Sequence, residues 1–188
     1  MQTAPETTPV TEPKKEKKKK TVGQEILSWI LSLAIALAAA MLIRTFLFTL
    51  ITVKGSSMED TLLDGDKLYV SVLTANLGGY EHGDVVICQY PGRTDFIVKR
   101  VIGLPGDTVM VDHGQAYVNG EAVDQSYVVH PNPYSYPEIT LDEGEYFVLG
   151  DNRSVSHDSH SADVGPITKI IGKVRAIFWP LNRLGAVK

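Results

Sequence analysis

Phe96-Ile-Val-Lys-Arg-Val-Ile-Gly-Leu-Pro-Gly-Asp107 is an apolar run with charge at its centre, closed by a Gly/Pro turn. The density of Phe, Ile and Val predicts a β-strand, and Leu-Pro-Gly-Asp ends it. Alternation places Ile97, Lys99 and Val101 on one face, with Val98, Arg100 and Ile102 on the other. A lysine on a buried face sheds its proton, because burial penalises the charged form. The neutral amine can then take a proton from a hydroxyl. Within this segment alone the commoner reading is a strand-edge lysine whose stem covers apolar surface while its head reaches water.

The neighbouring sequence is of the same kind. Lys67-Leu-Tyr-Val-Ser-Val72, Asp84-Val-Val-Ile-Cys88 and Glu145-Tyr-Phe-Val-Leu149 are short β-rich runs punctuated by Gly and Asp. Asn119-Gly120, between Ala116-Tyr-Val118 and Glu121-Ala-Val123, is a two-residue hairpin signal. Residues 167–177 are ambiguous but β-rich, and no amphipathic helix is evident after Ile43. The pattern predicts one mostly β domain over residues 45–188 without internal repeat. A peripheral insertion is expected at about 108–141, irregular around Pro131-Asn-Pro-Tyr-Ser-Tyr-Pro137.

Upstream the chain changes character. Ile26–Ile43 carries no charge, and at 1.5 Å per residue it spans roughly 27 Å, close to the hydrocarbon core of a bilayer. A transmembrane anchor is therefore expected over residues 21–44. The run exceeds a cleavable signal, and Ala38-Ala-Ala40 is followed by further apolar residues rather than a polar mature start. Residues 1–20, rich in Pro, Thr, Glu and Lys, are expected to be a disordered basic tail carrying +3, which leaves −7 on the remainder of a chain of net charge −4. The positive-inside rule places this tail in the cytoplasm and the β-domain outside the cytoplasmic membrane. A basic tail on an acidic body excludes nucleic acid as a partner and fits anionic lipid.

Two polar segments could join Lys99. Gly55-Ser-Ser-Met-Glu-Asp-Thr-Leu62 is a turn in which Gly55 permits close approach of a substrate and Ser57 offers a hydroxyl and its own N–H. Taken singly, Ser-Ser after Gly is ordinary turn chemistry. Gly150-Asp-Asn-Arg-Ser-Val-Ser-His-Asp-Ser-His160 is dense in short polar side chains, either a surface loop or a scaffold orienting a site. A Ser/His/Asp triad from His157 or His160 is conceivable, but no Gly-x-Ser-x-Gly elbow is present. His82, His113 and His130 lack metal-ligand spacing. Cys88 is the sole cysteine and reads as a small buried hydrophobe.

Read in order with His82-Gly-Asp-Val-Val-Ile87, these boxes resemble the motif set of the type I signal peptidases, Gram-positive subgroup: Gly-x-Ser-Met-x-x-Thr-Leu, Gly-Asp-Val-Val, Val-Lys-Arg-Val-Ile-Gly-Leu-Pro-Gly-Asp and Gly-Asp-Asn-Arg-x-x-Ser-x-Asp-Ser. The resemblance covers nearly the whole chain. It implies a signal-peptidase-like β-domain behind one anchor. Ser57 would be the nucleophile and Lys99 the general base. Ser156 would hydrogen-bond the lysine amine, and Asp151 and Asp158 would hold the last box. It further implies that an extended substrate lies between residues 51–55 and 96–99, with Ile51, Val53, Gly55, Leu62, Leu68, Ile87, Ile97 and Val98 forming its subsites. Two departures stand out: Asp60 replaces the family's usual proline, and His160 its usual arginine.

The implied activity is a membrane-bound serine endopeptidase that removes N-terminal signal peptides from exported precursors, cutting after small residues in an Ala-x-Ala pattern, without metal or cofactor. Its partners would be those precursors and the lipid bilayer. A catalytically silent precursor-binding homologue is the alternative, against which the intact Ser57, Lys99 and Ser156 count. A self-cleaving repressor-type protease shares the Ser/Lys chemistry, but the anchor and the want of a DNA-binding segment oppose it.

Overall fold

The computed structural model describes residues 21–73 and 79–187; the basic tail, residues 1–20, lies outside them. Helix α1 covers Val22–Leu47. Its Val22–Met41 stretch is long and apolar enough to cross a bilayer, with a mean hydropathy of 1.7 over its window and no residue of it buried. The helix runs a few residues past the expected anchor. The apolar residues 46–51 divide between the helix end and strand β1 (Phe48–Thr52), whose backbone pairs with β2 (Lys67–Ser71).

The remaining strands are β3 (Val85–Gln89), β4 (Ile97–Gly103), β5 (Thr108–Asp112), β6 (Gln115–Val118), β7 (Glu121–Ala122), β8 (Tyr136–Thr140), β9 (Phe147–Leu149), β10 (Lys169–Trp179) and β11 (Gly185–Ala186). Among the described residues they form two sheets. The larger runs β1-β2-β10-β3-β4-β9, with β11 on β10; the smaller runs β7-β6-β5-β8. Fold class is thus mostly β, as the residue pattern predicts. Asn119 and Gly120, both at positive φ, form the tight turn between β6 and β7.

Three apolar clusters hold the domain. Val53, Met58, Leu62, Leu68, Ile87 and Val174 pack beneath the strands that lead to Ser57. Val86, Cys88, Val101, Val148 and Ile167 pack on the other side of β3 and β4. Ile102, Val109, Leu141, Phe147 and Leu149 join the two sheets. Burial pushes the Cys88 thiol up to about 12, which makes it an inert core residue.

Strand β10 is the hub of the larger sheet. It pairs antiparallel with β2 along one edge and β3 along the other, with register shifts at both. Gly172 lies at one shift, where a Cβ would stand 2.6 Å from the Ser71 carbonyl oxygen.

Candidate active site

The turn after β1 is wound tightly by its own polar groups. Gly55, at φ +89°, donates its N–H to Asp64 Oδ1 at 2.8 Å. Leu62 N–H donates to the Met58 carbonyl at 2.8 Å, and Leu63 N–H to Asp66 Oδ2 at 2.9 Å. Arg183 clamps the same turn from a distant part of the chain, donating to Asp66 and to the Thr61 carbonyl. The peptide between Glu59 and Asp60 is cis.

Ser57 sits in this turn with its hydroxyl 2.6 Å from Lys99 Nζ. Lys99 enters from β4, only 3% exposed. Burial pushes its ammonium below the ordinary 10.5, against the opposing pull of Asp158 and Asp151. The two side chains are 42 positions apart in sequence, and the sheet brings them into hydrogen-bond contact.

The 150–160 segment underlies both. Asn152 N–H donates to the Ser57 carbonyl at 3.0 Å. Asp151, fully buried, takes two hydrogen bonds from Arg100 at 2.9 and 2.7 Å and one from Thr61 Oγ1 at 2.6 Å. This carboxylate ties the nucleophile's turn to the strand that carries the lysine. Such a pair is firm only because both partners are saturated with hydrogen bonds.

Asp158 accepts from Ser156 Oγ and from Gly150 N–H through Oδ2, and from His160 Nδ1 through Oδ1. Burial alone would raise its pKa; the bonds from His160, Ser156 and Gly150 hold it below the usual carboxylate value. Ser156 Oγ, the hydroxyl expected to meet the Lys99 amine, donates to Asp158. An ionised carboxylate is a stronger acceptor than an amine.

From Ser57 a cleft of about 410 Å³ runs between residues 51–58 and 95–98. Ile51, Val53, Gly55, Ile87, Ile97 and Val98 line it. Leu62 and Leu68 do not: both are fully buried in the core cluster beneath. The turn from Met58 to Leu62 drives Leu62 inward, and Leu68 points from β2 to the same interior. Met58, Asp95 and Lys54 line the cleft instead, two of them charged residues that an apolar-subsite reading passes over.

The histidines stand apart from the dyad. His157 meets Asp163, His82 meets Asp107 and His113 meets Asp112, all at exposed positions. Among the described residues no group of three or more His, Cys, Asp or Glu is arranged to hold a metal.

The profile of the signal peptidase family, peptidase S26, matches residues 26–179. The chain is 38% identical over 149 residues to the probable signal peptidase I-2 of Synechocystis sp. (strain ATCC 27184 / PCC 6803 / Kazusa), covering 76% of this chain and 68% of that one. It is 36% identical over 156 residues to the signal peptidase I of Bacillus licheniformis, covering 77% and 83%. It is 36% identical over 159 residues to the signal peptidase IB of Staphylococcus aureus, covering 75% and 83%.

Proposed function

The chain belongs to the signal peptidase family, peptidase S26, and from that premise we propose that it removes signal peptides from exported precursors with a Ser57/Lys99 dyad, cutting after small residues. One observation carries the dyad: a buried lysine amine, held toward its neutral form, lies 2.6 Å from a serine hydroxyl at the end of an apolar cleft.

The chemistry follows from that geometry. Lys99 Nζ takes the Ser57 proton as Oγ bonds to the scissile carbonyl carbon. The resulting ammonium passes the proton to the departing amine, the new N-terminus of the mature protein. An ester on Ser57 remains. Lys99, neutral again, takes a proton from water, and the hydroxide attacks the ester carbon. Ser57 leaves with the proton and the signal peptide departs as a carboxylate. The Ser57 N–H is the donor offered to the developing oxyanion. The Gly55 N–H is already committed to Asp64.

The substrate lies extended along the cleft, adding its backbone to the edge at β1. Ile51, Val53, Ile87 and Val98 give that cleft an apolar lining suited to small apolar side chains. The domain limits fit this reading: a tail over residues 1–20 on the cytoplasmic side, an anchor at 21–44, and a catalytic domain at 45–188 on the outer face with an insertion at about 108–141. Anchoring enzyme and precursor in one bilayer raises their effective concentration.

Two experiments test this. Purified full-length chain in detergent or bilayer is mixed with a precursor carrying an Ala-x-Ala site, and the products are weighed by mass spectrometry. A single cut after the second alanine is expected; intact precursor, or scattered cuts, would sink the reading. Protease added to intact spheroplasts should digest the domain and spare the tail, and a protected domain would overturn the topology.

A further inference from the structure

Two of the residues lining the cleft beside Ser57 carry charge, one on each wall. Lys54 directly precedes Gly55, and Asp95 directly precedes Phe96. Both are exposed. No ion pair among the described residues includes either of them. Asp64, by contrast, spends its carboxylate within the nucleophile's turn, on the Gly55 N–H. The charges of Lys54 and Asp95 are therefore left to whatever occupies the cleft.

Their places along the cleft differ. Both walls approach the dyad in the same chain direction: residues 51–55 lead to Ser57, and residues 95–98 lead to Lys99. Ile51 and Asp95 thus mark the end away from the dyad, and Lys54 lies at the near end. Asp95 stands four residues before Lys99, at most about 13 Å of chain at about 3.3 Å per extended residue. An extended substrate covers the same distance in four residues. With the scissile carbonyl at Ser57, Asp95 faces the side chain four or five residues before the cut. Lys54 faces one closer to it.

We propose that Asp95 is a specificity-determining residue, selecting precursors that carry lysine or arginine four or five residues before the cut and disfavouring acidic residues there. This rests on the reading of the chain as a signal-peptide endopeptidase with its substrate extended in this cleft. Lys54 opposes the same preference near the cut, so the cleft reads where a charge lies as well as its sign. The −7 carried by residues 21–188 would also draw basic peptides, through long-range attraction. That attraction is indifferent to position along the peptide, whereas the pairing with Asp95 is not. The pair stays in contact with water, so its effect is modest, about two- to fivefold at low salt. It appears in KM, because the same contact is present in the bound peptide and in the transition state.

The test is kcat/KM, with full-length chain in a nonionic detergent, on peptides that share one Ala-x-Ala site. Lys, Gln or Glu is placed in turn at the second, fourth and fifth positions before the cut. At the fourth or fifth position Lys should exceed Gln, and Glu should fall below it, by about two- to fivefold each with kcat unmoved. At the second position that order should vanish or reverse. Asp95→Asn should level the three peptides at the far positions, and Asp95→Lys should invert their order. The order should also flatten in 1 M salt, where the screening length falls to about 3 Å. A lysine advantage equal at every position, or one that survives in Asp95→Asn, would trace the bias to net charge and overturn the proposal. Cleavage of all three peptides at one rate would overturn it alone. Failure to cut even the Gln peptides would defeat the endopeptidase reading, and the proposal with it.

Discussion

Asp158 holds His160 through Oδ1 at 2.5 Å. The carboxylate is fully buried and the imidazole one-fifth exposed, so the pair seals one edge of the site. A guanidinium is charged at every pH, binds a carboxylate through two parallel bonds and stacks on an aromatic ring as imidazole does. His160→Arg is expected to stay active and to raise the melting temperature by about 2–4 °C at pH 8. Calorimetry at pH 6 and pH 8 checks this; a lower melting temperature at pH 8 would show that the histidine is kept for another reason.

Ser57→Ala and Lys99→Ala should each lower turnover by at least about 10³-fold, since each removes a partner in one proton transfer. Lys99→Arg should be as inactive as the alanine, because a guanidinium does not give up its proton. Lys99→His supplies a base on a shorter arm and should restore little. Single-turnover cleavage of a precursor measures all four. Near-normal turnover in Lys99→Arg, together with loss in a His157 or His160 variant, would put a histidine in the base's place.

Lys99 also sets a pH dependence of stability. Its folded pKa lies below the unfolded 10.5, so the unfolded chain binds the extra proton between those values. Stability then rises with pH across that window. Below the folded pKa the native state must hold a buried ammonium, and the penalty is complete. Lys99→Met should therefore melt higher than the unaltered chain at pH 7, by on the order of 3 °C, with the gain fading as pH approaches 10.5. Equal melting temperatures at pH 7 would mean that the amine is not desolvated.

Gly150→Ala should be among the most damaging single-methyl additions. An added Cβ would meet Ser156 Oγ and stand 2.5 Å from the Ser57 carbonyl oxygen. Both neighbours are fixed, Ser156 by Asp158 and Ser57 by Asn152. The expected cost is about 2–3 kcal/mol of stability, with loss of activity beyond what unfolding explains. Denaturant melts paired with cleavage assays at low temperature separate the two. A variant that melts and cleaves normally would show the turn to be compliant.

The legible part of this site was the part with local grammar. Lys99 stands out as a charge in an apolar strand, and Ser57 lies in a box whose wording is specific. The cleft-lining Ile51, Val53, Ile87 and Val98 came only with the family resemblance of the boxes around them. Leu62 and Leu68 were assigned to the same lining and proved to be core, since a groove wall and the interior behind it demand the same side chains. That Ser156 donates to Asp158 left no local signal, since sequence carries no information on which of several acceptors lies closer. The ring contacts of Tyr127 with Arg100 and of Tyr134 with His160 left no signal, because they cross a segment without periodicity.

The order of strands in the larger sheet bears on when the enzyme becomes a protease. Ser57 follows β1, beside β2; Lys99 is on β4, beside β3; and β10 lies between the two pairs. A nascent chain that has emerged only as far as residue 160 already carries nucleophile, base and the turn beneath them, yet lacks the strand that seams the halves together. Lys169–Trp179 must be present before the sheet can close. Until β10 is made, nucleophile and base are linked only through the Asp151 contacts with Arg100 and Thr61 and the Asn152 bond to Ser57, with no continuous sheet behind them.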